Sequence, residues 1–392
     1  MGLKKKINYL IFAQNFVTYH SSMYREFFKF SGKKCLVVYL DKTGLGNIFE
    51  DRWGKIVKWK LDLREGFKSI VLNNFSLNPN NQSFFSRINF QIPFLIWKIR
   101  PKKIFFQGYS DFSSWLILYS AKIMNIEKIA WKGERVLYKN ERISNLKKFV
   151  LKNFFFKKID EIYFSCRGNY QYLKNFEINE KKLNPMLCSV NNKYFQQNKL
   201  KKHEIIEKRI ELKIKNNYKI ILIVANFENR KNVLMFLNLA KFTKSLNYHY
   251  IIVGSGKLTD MVKKKVLQNK NIISYLGFVD ISKISEIYSI ADLFMVISEY
   301  DPSPKTLNEA LNFNIPSIVY KNVGTAYDLI KNNTNGFILD RLNEYCLLSQ
   351  IRRAFNNNRL KTTSKIYNKI LLKKYSPIQN AKALINDNTK NN

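Results

Sequence analysis

Residues 298–310, Ser-Glu-Tyr-Asp-Pro-Ser-Pro-Lys-Thr-Leu-Asn-Glu-Ala, contain a candidate anion site. Ser303 is a favoured residue for capping a helix, and Pro304 suits the first helical position. The spacing therefore predicts a helix that begins here. The backbone amides of Lys305 and Thr306 would lie at its N-terminus, where anions bind, and the Lys305 ammonium adds a positive charge. An ordinary serine-capped helix would show the same Ser-Pro pair.

Two carboxylates flank this cation. Asp301 precedes the predicted helix, and Glu309 lies on it, eight positions later. Backbone amides, a cation and two carboxylates suit a phosphate that carries hydroxyl-rich groups at both ends. A nucleotide-diphosphate sugar has this chemistry.

The element before this stretch is predicted to be a buried strand, because residues 293–297 form a continuous apolar run. From residue 219 onward, strand-like runs alternate with helical patterns such as residues 232–246 and 281–290. This alternation predicts a doubly wound parallel sheet. The expected strands are residues 219–225, 250–254, 272–276, 293–297, 317–320 and 337–339.

The first 190 residues also alternate strand-like and helical stretches, which predicts a second α/β domain. Residues 41–95 show no clear pattern, and residues 73–89 are expected to form a loop on the acceptor side. Residues 149–158 fit either a membrane-facing amphipathic helix or a core helix with solvated lysines. The expected strands are residues 8–12, 35–40, 103–106, 128–131 and 161–166, with a weaker one at 187–190.

Residues 219–340 resemble the C-terminal half of glycosyltransferase family 4, the group 1 transferases. That family carries an acidic residue, seven residues and then Glu, and Asp301 and Glu309 match this spacing. The resemblance implies that Glu309 holds the nucleotide ribose and that Asp301 contacts the donor sugar. Asp301 stands where Glu is more usual, which shortens this side chain by one methylene.

The resemblance also implies the GT-B fold, an α/β architecture. Two Rossmann-like domains face each other across a cleft, and a C-terminal helix crosses back to the first domain. The expected parts are an acceptor-binding domain at residues 1–195, a linker at 196–217, a nucleotide-sugar-binding domain at 218–350 and a helical tail at 351–392 that packs on the N-terminal domain.

Further residues match the family's donor-binding segments. Lys231 takes the position of a lysine that contacts the donor diphosphate. Asn226 stands where the family usually has arginine, so that contact is weaker or comes from another residue such as Arg230. Backbone near Gly277 and Phe278 is expected to receive the nucleotide base. The expected donor site is completed by Ser303, Pro304, Lys305, Thr306 and Gly324, the last of which closes its far wall.

The acceptor side is less well marked. Gln107 stands where family members often carry a histidine at a strand end in the first domain. In this fold, retaining transfer is thought to need little acid–base help from side chains. Other candidate acceptor-side residues are Gly108, Tyr109, Glu134 and His20.

Function, cofactor and partners follow from the resemblance as expectations. The chain would be a retaining, hexosyl-type transferase that moves a sugar from a UDP- or GDP-linked donor to a glycan or lipid-diphosphate acceptor in cell-envelope polysaccharide or lipopolysaccharide synthesis. The nucleotide sugar is a co-substrate, and no other cofactor is expected. No Asp-x-Asp sequence occurs, and Lys231 with Lys305 would neutralise the diphosphate, so no metal is expected.

The net charge of +38 is unevenly distributed. It amounts to +25 over residues 1–215, +4 over residues 216–345 and +9 over residues 346–392. Compositional bias toward lysine, asparagine and isoleucine is one explanation of the excess, but it does not account for the near balance of residues 216–345. The distribution also suits an anionic partner such as a membrane surface or a lipid-diphosphate acceptor.

Location follows from the N-terminus and the cysteines. No signal-peptide pattern is evident, and the four cysteines lack metal or redox spacing. The chain is therefore expected in the cytoplasm, with the inner face of the plasma membrane as a peripheral site.

Three alternative functions remain open from the sequence. A sugar-nucleotide epimerase or phosphorylase would use the same two-domain plan without the same acceptor requirement. A non-catalytic relative would explain Asn226 and Gln107. A basic nucleic-acid-binding protein would explain the charge, but no nucleic-acid motif is present, so no nucleic-acid partner is expected.

Overall fold

The computed structural model describes residues 6–45, 63–79, 83–138, 141–243 and 245–385, together with the backbone of two short strands between residues 48 and 57. The chain divides into two compact units. Unit 1 contains Met1–Ile48, Lys58–Leu187 and Ser376–Asn392, and unit 2 contains Phe49–Val57 and Cys188–Tyr375.

Unit 1 is built on a seven-stranded parallel sheet with the strand order β5-β2-β1-β6-β7-β8-β9. Its strands are β1 (Tyr9–Ala13), β2 (Cys35–Tyr39), β5 (Ser69–Val71), β6 (Lys103–Gln107), β7 (Lys128–Gly133), β8 (Glu161–Phe164) and β9 (Leu183–Pro185). A separate two-stranded sheet pairs β3 (Ile48–Glu50) with β4 (Lys55–Val57), and all of it except Ile48 is assigned to unit 2. The helices that follow these strands are α1 (Thr18–Phe30), α2 (Gln91–Ile99), α3 (Phe112–Ile123), α4 (Asn145–Val150) and α5 (Arg167–Lys174).

Unit 2 is built on a six-stranded parallel sheet with the order β12-β11-β10-β13-β14-β15. Its strands are β10 (Lys219–Val224), β11 (Tyr248–Val253), β12 (Ile273–Tyr275), β13 (Leu293–Val296), β14 (Ser317–Tyr320) and β15 (Gly336–Leu339). Its helices are α6 (Asn192–Gln197), α7 (Lys202–Glu211), α8 (Val233–Phe242), α9 (Thr259–Leu267), α10 (Ile281–Ile290), α11 (Lys305–Asn312), α12 (Ala326–Leu329), α13 (Glu344–Asn356) and α14 (Leu360–Lys374).

The apolar strand runs explain the parallel sheets. Every residue of β2 and β13 is buried, as expected of strands that are covered by helices on both faces. The expected weak strand at residues 187–190 is wrong, because the strand lies earlier, at β9. Pro185 ends this edge strand, where a residue without an amide hydrogen is tolerated.

Residues 149–158 lie partly in the core of unit 1. A π-helical turn, Leu151–Phe155, follows α4, and the side chains of Leu151, Phe155 and Phe156 are buried among the core residues. These three residues therefore fit the core interpretation of the segment. Among the helices that the structure describes, none has the length and apolar composition that crossing a bilayer requires.

The last helix, α15 (Pro377–Ile385), packs against α1 in unit 1. Ala381 and Leu384 are buried there. The Lys103 ammonium at the start of β6 donates to the Leu384 carbonyl at 2.8 Å and pairs with the buried Glu161 carboxylate at 2.7 Å. The prediction that a C-terminal helix returns to the first domain is thus confirmed.

Candidate functional site

The segment between β13 and α11 differs in detail from the expected cap. α11 begins at Lys305, and Pro304 rather than Ser303 occupies the N-cap position. The Ser303 amide instead donates to Asp301 Oδ1 at 3.1 Å, which turns the chain before the helix. Within the described part of the chain, the buried Ser303 hydroxyl has no hydrogen-bond partner. A buried unsatisfied hydroxyl at a helix start is a position where a ligand would add the missing bond.

Lys231 and Asp301 form an ion pair at the centre of this region. Lys231 is buried and ends a short 3₁₀ turn, Asn229–Lys231, that follows β10. Asn232 then adopts a left-handed backbone conformation, and its side-chain amide donates to the Ile297 carbonyl at 3.0 Å. These contacts hold the lysine loop against the end of β13.

Arg230 holds the same two loops together. Its guanidinium pairs with Glu228 at 2.7 Å and donates to the Tyr300 carbonyl at 2.9 Å. The Glu299 amide in turn donates to the Arg230 carbonyl at 2.8 Å. Asn226 lies half-buried at the start of this loop, and its carbonyl accepts from the Glu228 amide at 2.9 Å.

Glu309 lies half-buried on α11 and accepts a hydrogen bond from the Tyr288 hydroxyl at 2.8 Å. Protein atoms surround its carboxyl group, and this desolvation raises the pKa of Glu309 to about 7, against the smaller lowering effect of the tyrosine bond. The neighbouring Thr306 carbonyl lies 3.4 Å from the same hydroxyl. Tyr288 was not predicted from the sequence, because its contact with Glu309 depends on how α10 packs beside α11.

Lys305 contacts Cys188, one of the four cysteines whose spacing indicated no metal or redox site. Its ammonium donates to Cys188 Sγ at 2.9 Å. Asn308 accepts from this thiol at 3.4 Å, and its side-chain amide donates to the Cys188 carbonyl at 3.0 Å. Cys188 therefore fixes the position of the lysine at the start of α11.

The remaining donor-side candidates lie on adjoining loops of unit 2. The Gly254 amide donates to the Gly277 carbonyl at 2.7 Å, which places Gly277 and the half-buried Phe278 beside the loop after β11. The Gly324 amide donates to the Asp301 carbonyl at 2.9 Å, and a β-bridge joins Asp301 to the preceding Val323. Asp301 thus touches the lysine loop, the helix start and the segment after β14.

The acceptor-side candidates lie in unit 1. Gln107 ends β6, and the Gly108 carbonyl accepts from the Trp131 indole at 2.6 Å. Tyr109 bonds through its hydroxyl to the Tyr172 hydroxyl at 2.6 Å, and burial raises the pKa of Tyr109. Lys132 pairs with Glu134 at 3.3 Å, and the His20 ring packs against Tyr19 and Tyr24 on α1.

A buried polar cluster that the sequence did not indicate lies at the carboxyl edge of the same sheet. Arg87 pairs with Asp41 at 2.9 Å and approaches Asp111 to 4.0 Å. Asp111 caps α3 by accepting from the Ser114 amide at 2.9 Å, and it also accepts from Gln14 at 2.8 Å. Burial raises the pKa of Asp111 despite these bonds. The available signal was Asp111 itself, which stands directly before an apolar helical run.

The match to a known protein family lies within unit 2. Residues 204–370 match the family model described as glycosyl transferases group 1. A relative from Campylobacter jejuni is named GalNAc-alpha-(1->4)-GalNAc-alpha-(1->3)-diNAcBac-PP-undecaprenol alpha-1,4-N-acetyl-D-galactosaminyltransferase. It is 28% identical over 141 residues, which cover 35% of this chain and 39% of the relative. The chain therefore matches well under half of that protein's length.

Solved structures match nearly the whole chain. A glycosyltransferase from Rickettsia africae has a TM-score of 0.75 at 19% identity and covers 96% of both chains. Anabaena Alr3699/HepE in complex with UDP has a TM-score of 0.74 at 13% identity, covering 96% of this chain and 97% of that one. The predicted GT-B fold is confirmed.

Proposed function

We propose that this protein is a retaining glycosyltransferase that transfers a hexose-type sugar from a nucleotide-diphosphate sugar to a glycan or lipid-linked acceptor. The acceptor belongs to cell-envelope polysaccharide or lipopolysaccharide synthesis, and the reaction takes place at the cytoplasmic face of the membrane. The observation that carries the proposal is the Lys231–Asp301 ion pair beside the unsatisfied Ser303 hydroxyl and the N-terminus of α11.

The donor diphosphate would take the cationic part of this site. The Lys231 ammonium, the first amides of α11 and the Ser303 hydroxyl all suit phosphate oxygens. Lys305 adds a second positive charge, so the diphosphate is neutralised without a metal ion. A nucleotide sugar would separate Lys231 from Asp301, and Asp301 would then contact the donor sugar.

Glu309 would hold the ribose. Its carboxylate has oxygen acceptors for two hydroxyl groups, and Tyr288 fixes the orientation of the carboxyl group. The base would lie against the backbone near Gly277 and Phe278. UDP is the first nucleotide to test, since the Anabaena neighbour was solved with UDP, and the Campylobacter relative's name supports a lipid-diphosphate acceptor.

A thermal-shift titration with UDP, GDP and their glucose and N-acetylhexosamine conjugates, in chelator, tests the donor site. Ligand at about 100 times its dissociation constant should add roughly 2.7 kcal/mol of stability. We expect a shift for one nucleotide series, at least tenfold weaker binding in Glu309→Gln, and no change in Glu207→Gln, an exposed carboxylate on α7. A shift that appears only with divalent ions would exclude metal-independent binding, and no shift with any nucleotide would exclude the donor site.

Asp301→Asn separates binding from transfer. Removing this carboxylate frees Lys231 for phosphate, so nucleoside-diphosphate affinity should rise by about 1 kcal/mol, which is about fivefold. Transfer from the nucleotide sugar to a lipid-linked acceptor should fall at least a hundredfold, because the contact to the donor sugar is lost. Calorimetry measures the first quantity and product formation the second. Full transfer in Asp301→Asn would contradict the assigned role.

A further inference from the structure

Unit 1 exposes a group of large aromatic side chains, which we call the aromatic surface. All lie on one segment that runs from the end of β5 through α2. The exposed fractions are 53% for Phe75, 40% for Phe84, 61% for Phe85, 64% for Phe90, 61% for Phe94 and 55% for Trp97. Large exposed apolar patches of this kind mark sites of interaction on folded proteins.

The rings form a connected surface. Phe75 lies 5.8 Å from Phe90, and Phe84 lies 5.2 Å from Phe85, measured between ring centroids. The half-buried Phe112 joins these pairs, with centroid distances of 6.2 Å to Phe84 and 6.4 Å to Phe90. On α2, Phe94 lies one turn beyond Phe90 and its ring is 5.8 Å from the Trp97 ring.

Hydrogen bonds hold the backbone beneath the aromatic surface in place. The buried Asn89 side chain donates to the Leu40 and Asn73 carbonyls, each at 2.8 Å. The Asn74 side chain accepts from the Ile88 amide at 2.9 Å and donates to the Ser86 carbonyl at 2.9 Å. The described parts of the segment on both sides of residues 80–82 are therefore joined to each other and to the end of β2.

The segment that carries the aromatic surface has side-chain charges of a single sign, of which Arg87 is paired with Asp41 and the buried Lys103 with Glu161. Residues 66–110 contain six lysine or arginine residues and no aspartate or glutamate. Lys98, Arg100 and Lys102 are exposed at the end of α2, and the Lys98 ammonium lies 5.9 Å from the Phe94 ring centroid. Aromatic rings combined with exposed cations are the composition of surfaces that bind the interface of an anionic bilayer.

The aromatic surface adjoins the polar cluster of unit 1. Phe112 directly follows Asp111, and Arg87 lies on the same segment as Phe84, Phe85 and Phe90. A bilayer that held the rings would therefore bring lipid headgroups close to Arg87.

We propose that the aromatic surface docks this protein on an anionic phospholipid bilayer, with the rings at the headgroup level and Lys98, Arg100 and Lys102 on the lipid phosphates. The inference rests on the proposed function in one respect. Docking serves sugar transfer because it brings unit 1 to the bilayer surface, where the diphosphate of a lipid-linked acceptor lies. Vesicle binding and nucleotide binding are separate measurements, so either proposal can fail alone.

Co-sedimentation of the full chain with phosphatidylcholine vesicles, with and without phosphatidylglycerol, tests the docking. We expect strong binding only to the anionic vesicles, at least a tenfold loss in the triple variant Phe85→Ser/Phe90→Ser/Trp97→Ser, and weakening by salt. The matched control is Phe242→Ser/Tyr327→Ser/Tyr345→Ser, which removes three exposed aromatic residues from unit 2 and should bind like the unmodified protein. A circular dichroism spectrum and a urea unfolding transition like those of the unmodified protein show that the first triple variant is folded.

Trp97 reports the depth of docking without a large change in the surface. The chain has five tryptophans, so the signal of Trp97 is the difference between the unmodified protein and Trp97→Phe, which should still bind. That difference signal should shift to shorter wavelength on anionic vesicles and be quenched by brominated lipid. Equal binding by the two triple variants, or binding without quenching, would overturn the proposal. Self-association that the first triple variant abolishes, without vesicle binding, would instead assign the surface to a second copy of the chain.

Discussion

Glu309 shows how one residue of the site depends on its surroundings. A carboxyl group on an exposed helix face would be ionised well below neutral pH, whereas protein atoms around Glu309 hold its pKa at about 7. The Asp301 carboxylate, in contrast, forms an ion pair with the Lys231 ammonium. The site therefore keeps one carboxylate paired with a cation and another close to its titration point.

We predict that donor binding depends on pH through Glu309. An ionised carboxylate accepts from both ribose hydroxyls, so affinity for the nucleotide sugar should be about tenfold lower one pH unit below the pKa than one unit above it. Calorimetry with an intact nucleotide sugar, whose diphosphate does not titrate in this range, measures this. Glu309→Gln should bind weakly at every pH.

The same group affects stability in the opposite direction. Because the folded pKa of Glu309 exceeds its ordinary value of 4.5, the folded state holds this proton more tightly than the unfolded state. The ligand-free protein should therefore lose stability as pH rises from 4.5 to about 7, and Glu309→Gln should remove that part of the dependence. An identical pH profile in the variant would contradict the raised pKa.

At the scale of elements, two loops of unit 2 are fastened together. The Phe227 amide donates to the Ser255 carbonyl at 2.9 Å, and the Leu258 amide donates to the Phe227 carbonyl at 3.0 Å. Gly254 permits this close approach, since a Cβ there would lie 1.9 Å from the Ala225 carbonyl oxygen. The position of the loop that carries Lys231 thus depends on Gly254, which directly follows β11.

We predict unequal effects of two glycine substitutions. Gly254→Ala adds a clash with Ala225 at a φ of +134°, so it should lower the free energy of unfolding by about 3 kcal/mol or more and weaken nucleotide binding. Gly277→Ala has a φ of +66° but its nearest neighbour, the Tyr275 hydroxyl, is 3.9 Å away, so the cost should be about 1 kcal/mol. Urea unfolding measures both, and equal costs would contradict the steric account.

At the scale of the whole molecule, the chain returns to unit 1 after completing unit 2. α15 covers α1 with Ala381 and Leu384, and Lys103 binds the carbonyl at its C-terminal end. A cation at the end of a helix also compensates the helix dipole. The buried Lys103 ammonium thus links β6, the middle strand of the seven-stranded sheet, to the last turn of α15 by a hydrogen bond.

We predict that Leu384→Ala destabilises the protein by about 2–5 kcal/mol, because it opens a cavity between α15 and the core of unit 1. Ile378→Ala, on the same helix but 44% exposed, should change stability by no more than about 0.5 kcal/mol. Chemical unfolding of both variants measures the difference. Similar values for the two would show that α15 does not contribute as the contacts indicate.

The sequence predicted much of the fold for a physical reason. Strands buried on both faces, such as β2 and β13, are continuous apolar runs that need no distant information. The half-buried β5 lacks such a run, and Pro185 obscured β9. These two short edge strands were accordingly missed or misplaced.

The site was predicted only in part, because several of its contacts join distant positions. The Lys305–Cys188 bond spans 117 residues and the Arg87–Asp41 pair spans 46, and no local pattern encodes either. Serine is a favoured capping residue, but the Ser303 amide donates to Asp301 Oδ1 and Pro304 occupies the N-cap position of α11. Local chemistry thus identified the anion-binding segment, while packing determined the partner of each side chain.

The return of the chain to unit 1 has a consequence for its synthesis on the ribosome. The chain leaves unit 1 at Leu187 and re-enters it only at Ser376, so all of Cys188–Tyr375 is translated while the first unit still lacks α15. During that time α15 does not yet cover α1, and the Lys103–Glu161 pair lacks the hydrogen bond to the Leu384 carbonyl. A nascent chain that stops before Ser376 would leave a complete second unit attached to an uncovered first one, which is the form that chaperones and proteases recognise.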